Sequence, residues 1–386
     1  MEYNARVRVA WDLQAITGPG RTGLGVSVQF MLDALLAHAP QVQLAGLRPN
    51  EQNRPLRTVR DRVLWEQWHL PRRLRREHQR EPLDLLYSPA LGAPLRSPVP
   101  VAAHVHDLIP LFYPQQFSGF ARWYWHDLLP MTWRRCSVLT VSNATVAEDI
   151  VMHFGYPADR IQVVPYYPDP AVAGAARDIR PGFAEIEEGE NPTPPLFLTL
   201  ASHEPRKNLE LPIRAVAMLS EAGVDARLVC VGSHTPHTEV LRQLARDCGV
   251  AGAVEFPGYL RRPQIVRLLL SCTALIFLSH YEGYGMPPQE AQSIGCAVIL
   301  SDIPCHRAVY ADQERWARLP AGVREVPPLI DPRDERALAH RMQRLIEEPA
   351  YRCALRRAGL AYSRTFSATA TAAGLSAAFE LAAAGR

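Results

Sequence analysis

Apolar residues along this chain fall into short continuous runs separated by stretches with helical spacing. RVRVAWDL (6–13) is short and β-branched, and reads as a strand ending at a loop that holds Gly18, Gly20, Gly23 and Gly25. In VSVQFMLDALLAHAP (26–40), Val28, Met31, Leu32, Leu35 and Leu36 recur at the spacing of one helix face. Strand, glycine loop, helix is the opening of a doubly wound α/β sheet. Further strands are predicted at 42–47, 84–89, 99–107, 137–142 and 161–166, with helical stretches between most of them.

The pattern then lapses. Residues 171–195 are rich in Pro, Gly and acid, lack sustained apolar periodicity, and read as linker or surface loop. A second α/β series follows, with strands at 195–202, 226–233, 253–260, 274–280 and 296–302, and a helical, alanine-rich tail from Asp334. The predicted layout is a Rossmann-like domain over 1–175, a linker over 176–194, a second Rossmann-like domain over 195–365, and a last helix over 366–386 that packs back on the first domain. Ligands of such sheets bind beyond the carboxyl ends of the strands, so the chemistry is expected on loops that follow strands.

Composition narrows the class. Apolar residues make up 47% and charged residues 21% of 386, ordinary for a globular protein, and a net charge of +3 is too small to imply nucleic acid as partner. The seven cysteines are scattered and form no Cys-x-x-Cys pair, which argues against a disulfide framework or zinc site and for a reducing, cytoplasmic setting. No apolar run approaches the roughly 18 residues of a membrane span, and the polar start MEYNAR does not read as a signal peptide. Of the 42 basic residues only Lys207 is a lysine.

The richest stretch is LSHYEGYGMPPQEAQSIGCAVILSD (278–302): a strand, a loop with Gly283 and Gly285, then a helix opened by Pro287 and Pro288. Glycine lets backbone approach a ligand closely, and a helix N-terminus is a ready phosphate site. Glu282 and Glu290 flank this loop. Beside a diphosphate each would be repelled, so each is expected to accept hydrogen bonds from neutral hydroxyls; the bland alternative for Glu290 is a helix cap. Arg206 and Lys207 follow the strand PLFLTLAS and precede a helix. A guanidinium fork beside a mobile ammonium suits a diphosphate, and a solvated basic pair is the alternative.

Glu282-x7-Glu290 within EGYGMPPQEA, with EPRKN about 75 residues upstream, resembles the retaining glycosyltransferases of family 4. GRTGLGVSVQFMLDAL, VHDLIPLFYP and VSNATVAEDIVMHFGYPADRIQVVPY are similar to other family segments, so the resemblance extends over most of the chain. It implies an α/β fold of the GT-B class, two facing Rossmann-like domains with a cleft between them. It further implies that Glu290 holds the donor's ribose and Glu282 the hydroxyls of the transferred sugar. Arg206 and Lys207 would hold the diphosphate, with backbone at Gly23, Gly25, Gly283, Tyr284, Gly285, Met286 and Pro287. Backbone near Leu260 would meet the base, and His106 in VHDL matches a family histidine near the reacting sugar, with a packed histidine as the alternative. Two departures stand out: Ala201, where some members carry an arginine, and Ala308, where relatives often carry an acid.

The implied activity is transfer of a hexose from a nucleotide sugar to a saccharide or lipid-linked glycan acceptor. The resemblance leans to mannose from GDP-mannose and bacterial surface polysaccharide; rhamnosyl or glucosyl transfer from dTDP or UDP donors stays open, as does a noncatalytic scaffold. No Asp-x-Asp occurs, so no cofactor or metal is expected. A nicotinamide-dependent dehydrogenase fails because GPGRTGLG gives no Gly-x-Gly-x-x-Gly in register after the strand. On the acceptor side, residues 57–82 hold eight arginines against four acids with Trp65 and Trp68 among them. They read either as a helix on an anionic membrane surface or as a domain helix that buries its tryptophans, and relatives carry a similar WEQxxLP. FARWYWHDLLPMTW (120–133) is aromatic enough for an acceptor groove, though core is the simpler reading.

Overall fold

The computed structural model describes residues 7–17, 23–49, 56, 58–186 and 192–384. Gly18, Gly20 and part of the expected linker (187–191) lie outside the described residues. The chain forms two compact units, Met1–Tyr167 with Ser367–Arg386, and Pro168–Phe366. The breaks fall at 167/168 and 366/367, where the sequence pattern had placed the first at 175.

The first unit is built on β1 (Val7–Asp12), β2 (Val42–Leu47), β3 (Leu85–Ser88), β4 (Val101–Val105), β5 (Val138–Val141) and β6 (Ile161–Val163). They form one sheet in the order β2-β1-β3-β4-β5-β6, and every pairing is parallel. β3, β4 and β5 are buried at every residue, which is why they read as continuous apolar runs. The helix Gly23–His38 packs against the last helix, Ala368–Ala384. Small residues let that last helix lie close to the sheet: a Cβ at Gly374 would sit 2.9 Å from the Val163 carbonyl oxygen. Phe379 then reaches Tyr87 of β3 with ring centroids 5.2 Å apart.

The second unit repeats the plan with β7 (Leu196–Leu200), β8 (Arg227–Val231), β9 (Val254–Gly258), β10 (Ala274–Phe277), β11 (Val298–Ser301) and β12 (Leu329–Ile330). Their order is β12-β11-β10-β7-β8-β9, again all parallel. β7 and β10 are neighbours, so the loops that follow them open side by side.

Several expectations change. Gly23 and Gly25 belong to the first turn of the Gly23–His38 helix rather than to a loop, Gly23 exposed and Gly25 buried. Leu36 of the same helix is exposed and Ala34 takes an inward place. Part of the expected linker is a helix, Pro170–Ile179, because Asp169 caps it, accepting from the Ala171 N–H at 2.8 Å, and Pro170 suits its first position. Only Val172 and Ala176 of that helix are buried, too few to give a readable periodicity.

Candidate functional site

The loops after β7 and β10 are joined by backbone first. The 3-10 turn Pro205–Lys207 follows β7, and the Arg206 carbonyl accepts from the His280 N–H at 2.9 Å. Asn208 closes the turn in the left-handed region (φ 53°), which asparagine tolerates. Its Nδ2 donates to Leu278 O at 3.2 Å and Pro332 O at 2.8 Å, fixing the loop to its neighbours.

On this frame Arg206, Lys207 and Glu282 converge. Lys207 Nζ donates to Glu282 Oε1 at 2.6 Å and lies 5.3 Å from the centre of the Phe277 ring. Arg206 Nη1 donates to the same oxygen at 3.2 Å and to Tyr281 O at 2.6 Å. All three side chains are largely shielded from solvent. Burial pushes the Glu282 carboxyl up, but Lys207 and then Arg206 outweigh it and hold it at about 2. Arg206 Nε is buried and meets no acceptor among the described residues. Arg206, Lys207 and Glu282 therefore form one cluster, two positive charges on one negative.

The helix Met286–Ser293 starts at Gly285, whose φ of 87° belongs to the left-handed region. A Cβ there would lie 3.3 Å from His306 Nε2 and 3.4 Å from Phe277, so the conformation favours glycine and a side chain would also crowd both rings. Tyr310 Oη donates to Gly285 O and props the loop from beneath. Pro287 and Pro288 carry no N–H, so the helix start presents fewer donors than a plain dipole argument assumes. Tyr284 is buried and its hydroxyl accepts from Gln289 Nε2 at 2.8 Å.

Glu290 lies in the second turn of this helix, not the first, which removes the capping alternative. It is half-buried, and no hydrogen bond to its carboxylate is found among the described residues. Burial, then the charge of Asp169, raise it to about 7, against the pull of Arg262. Asp169 and Arg262 themselves pair at 2.5 Å. Arg262 opens the helix Arg262–Ser271 two residues after Leu260, so the turn after β9 and Glu290 belong to one neighbourhood. Asp169, Arg262, His306 and Tyr310 were missed because no local spacing ties them to the motif.

His106 belongs to the first unit, one residue past β4. Its Nε2 meets Pro89 O at 2.7 Å, and a carbonyl only accepts, so Nε2 carries the proton. Nδ1 then accepts from Tyr166 Oη at 2.7 Å, and Tyr166 accepts in turn from His104 Nε2 at 2.8 Å. His104 Nδ1 accepts from Thr140 Oγ1 at 2.9 Å, and Tyr87 donates to Thr140 at 3.0 Å. One carbonyl thus sets two tautomers. Burial holds His106 neutral, down at about 4. Both nitrogens are thus engaged inside this unit.

A buried network that spacing did not reveal lies at the end of β1. Trp65 Nε1 donates to Asp12 at 3.0 Å, Gln14 Nε2 bridges Asp12 (2.8 Å) and Glu66 (3.2 Å), and Tyr124 Oη reaches Glu66 at 2.8 Å. Trp65–His69 and Tyr124–Leu128 are both π-helical turns, and the Tyr124–Glu66 bond joins them. Burial first raises Glu66 to about 7 and Asp12 to about 6. A Cβ at Gly92 would meet the Glu66 carboxylate at 2.3 Å, so the WEQ residues hold the loop after β3.

Two parallel Rossmann-like sheets, with a cation–carboxylate cluster at the strand ends of the second, define the GT-B class of glycosyltransferase. Residues 23–170 match the family model "Glycosyltransferase Family 4" and residues 183–361 match "Glycosyl transferases group 1". The chain belongs to the family 4 glycosyltransferases. It is 27% identical over 277 residues to the serotype-specific mannosyltransferase WbdA of Escherichia coli, covering 69% of this chain and 32% of that protein. It is also 27% identical over 236 residues to the O-antigen chain mannosyltransferase RfbU of Salmonella typhimurium, covering 58% of this chain and 61% of that one. The chain thus spans less than two thirds of either relative. Its fold is similar to that of a sucrose-phosphate synthase from Thermosynechococcus elongatus (TM-score 0.67, 17% identity, 99% of this chain and 100% of that one). It is also similar to WaaG, a glycosyltransferase involved in lipopolysaccharide biosynthesis (TM-score 0.63, 17% identity, 96% and 98%).

Proposed function

We propose that this protein transfers a hexose, mannose from GDP-mannose, to a saccharide or lipid-linked glycan acceptor, with retention and without a divalent metal. The observation that carries the reading is the Arg206–Lys207–Glu282 cluster across the loops of two adjacent strands. The mannose assignment is supported by the names of relatives such as WbdA and RfbU.

The departing group is a nucleoside diphosphate, which gains charge as the bond to the sugar breaks. Arg206 and Lys207 meet that charge from fixed, shielded positions, and the incoming phosphates compete with Glu282 for them. Glu282, kept ionised by the two cations, accepts hydrogen bonds from the sugar's hydroxyls. Glu290 accepts from the ribose and the turn at Leu260 meets the base. In the transfer, the bond from the anomeric carbon to the phosphate oxygen breaks and a bond to the acceptor oxygen forms on the same face. The acceptor's proton passes to the departing phosphate, so no covalent nucleophile is needed.

A panel of GDP-mannose, UDP-glucose and dTDP-rhamnose, read by thermal shift and donor hydrolysis, tests this, since a ligand that binds the folded state raises its melting point. GDP-mannose should give the largest shift, with activity unchanged by EDTA. Preference for another donor would overturn the mannose assignment, and EDTA inhibition reversed by Mg2+ or Mn2+ would overturn the metal-free one.

A further inference from the structure

The seven cysteines are all free, yet Cys272 and Cys296 stand with their sulfurs 3.5 Å apart. The sheet of the second unit puts them there. Cys272 follows the helix Arg262–Ser271 and leads into β10, while Cys296 lies after the helix Met286–Ser293 and leads into β11. The two strands run parallel with Leu275 opposite Val298, so the chains entering them lie side by side. Neighbouring strands are about 4.8 Å apart, inside the roughly 4.4–6.8 Å between Cα atoms that a disulfide spans. Sequence spacing hides the pair, because 23 residues and a whole loop and helix separate the two thiols.

The surroundings favour reaction. Cys272 is half-buried and opens the pair to small solutes, whereas Cys296 lies buried behind it. Arg356 adjoins them, its Nε donating to Gly295 O at 2.8 Å, one residue before Cys296. The hydrogen bond from Cys272 lowers the Cys296 thiol below the ordinary cysteine value, against its burial, and the Arg356 charge acts in the same direction. A more acidic thiol with a second thiol in contact is the arrangement of a redox-active pair. Cys248, also half-buried, supplies an internal control on the same unit.

We propose that Cys272 and Cys296 form an oxidation site, a dithiol that hydrogen peroxide converts reversibly into a disulfide within the chain. The Cys296 sulfur attacks one peroxide oxygen and the O–O bond breaks. The departing hydroxide takes up the proton that the Cys296 thiol gave up, forming water and leaving a sulfenic acid on Cys296. The Cys272 sulfur then attacks the sulfenic sulfur, the S–O bond breaks, and the second hydroxide leaves with the Cys272 proton as water. Two thiols are oxidised by two electrons and one peroxide becomes two waters. The new bond ties the carboxyl end of the Arg262–Ser271 helix to the segment that ends the Met286–Ser293 helix. A transient bond of this kind is compatible with a reducing setting, where thiols rest reduced.

The test titrates the reduced full chain with hydrogen peroxide, blocks the remaining thiols with iodoacetamide, and maps the products by mass after chymotrypsin, which cuts at Tyr281 and Tyr284 between the two. The peptides of Cys272 and Cys296 should appear joined, at least about tenfold faster than Cys248 is modified, as the more acidic thiol requires. Dithiothreitol should release both. In C272S the sulfenic acid on Cys296 has no thiol to close on, so dimedone should trap it there. Both sulfurs precede their strands, at the end of the sheet opposite the donor loops, so reduced C272S and C296S should bind GDP as the parent does. The peroxide map of the parent needs neither variant nor donor, which keeps this inference separate from the sugar-transfer reading. Oxidation of Cys248 first, no link between Cys272 and Cys296, or a C272S protein that dimedone does not label at Cys296 would overturn it.

Discussion

Lys207 shows most plainly how one residue carries the site. A compact ammonium reaches Glu282 at 2.6 Å beneath the Phe277 ring, in a place where Arg206 already fills the planar fork's position. Lys207→Ala should lower kcat/KM for donor turnover by about 2–4 kcal/mol, the range of losing one oxyanion donor. Lys207→Arg should recover only part of it despite the equal charge, and initial rates with saturating acceptor check both. Glu290 sets a pH limb. Only its ionised form accepts two hydroxyl donors, and burial beside Asp169 raises it to about 7, so donor KM should rise as pH falls below about 7. Asp169→Asn removes a repelling charge and should move that limb to lower pH. The sign for stability is opposite. A carboxyl raised above its ordinary 4.5 favours the folded state at low pH, and that contribution is lost as pH rises through about 7.

At the scale of elements, the strands were legible because parallel strands buried on both faces leave unbroken apolar runs, as VAAHV and ALIF do. The EGYG loop was legible for a related reason, since Gly285 holds a conformation few other residues accept. Gly285→Ala should destabilise the loop by about 1–3 kcal/mol and raise donor KM, read from urea unfolding and from initial rates. What escaped the sequence was contact between distant elements. Nothing local joins Gln14 to Glu66 or His104 to Tyr166; only the order of strands in the sheet brings them together. The two π-helical turns were hidden too, because one inserted residue only blurs a helical period. The histidine chain gives its own test: Tyr166→Phe strands His106 Nδ1 and His104 Nε2, and should cost about 2–4 kcal/mol in unfolding free energy.

Over the whole molecule, two Rossmann-like units and a helical tail could be read from the apolar pattern. The sequence did not yield the short β12 or the Pro170–Ile179 helix, each with too few buried positions to leave a period. The tail is part of a core: Leu375, Ala378 and Phe379 are fully buried, and Phe379→Ala should cost about 3–5 kcal/mol in urea unfolding. The family, the fold and the cation cluster converge on one claim, that the second unit grips a nucleoside diphosphate through Arg206 and Lys207. Calorimetric titration of GDP into the parent chain and into R206A/K207A addresses it most directly. The double variant should remain folded and bind GDP at least about 100-fold more weakly, since two charge-assisted contacts are lost. Equal affinity in the two proteins would contradict the assignment of that cluster to the diphosphate.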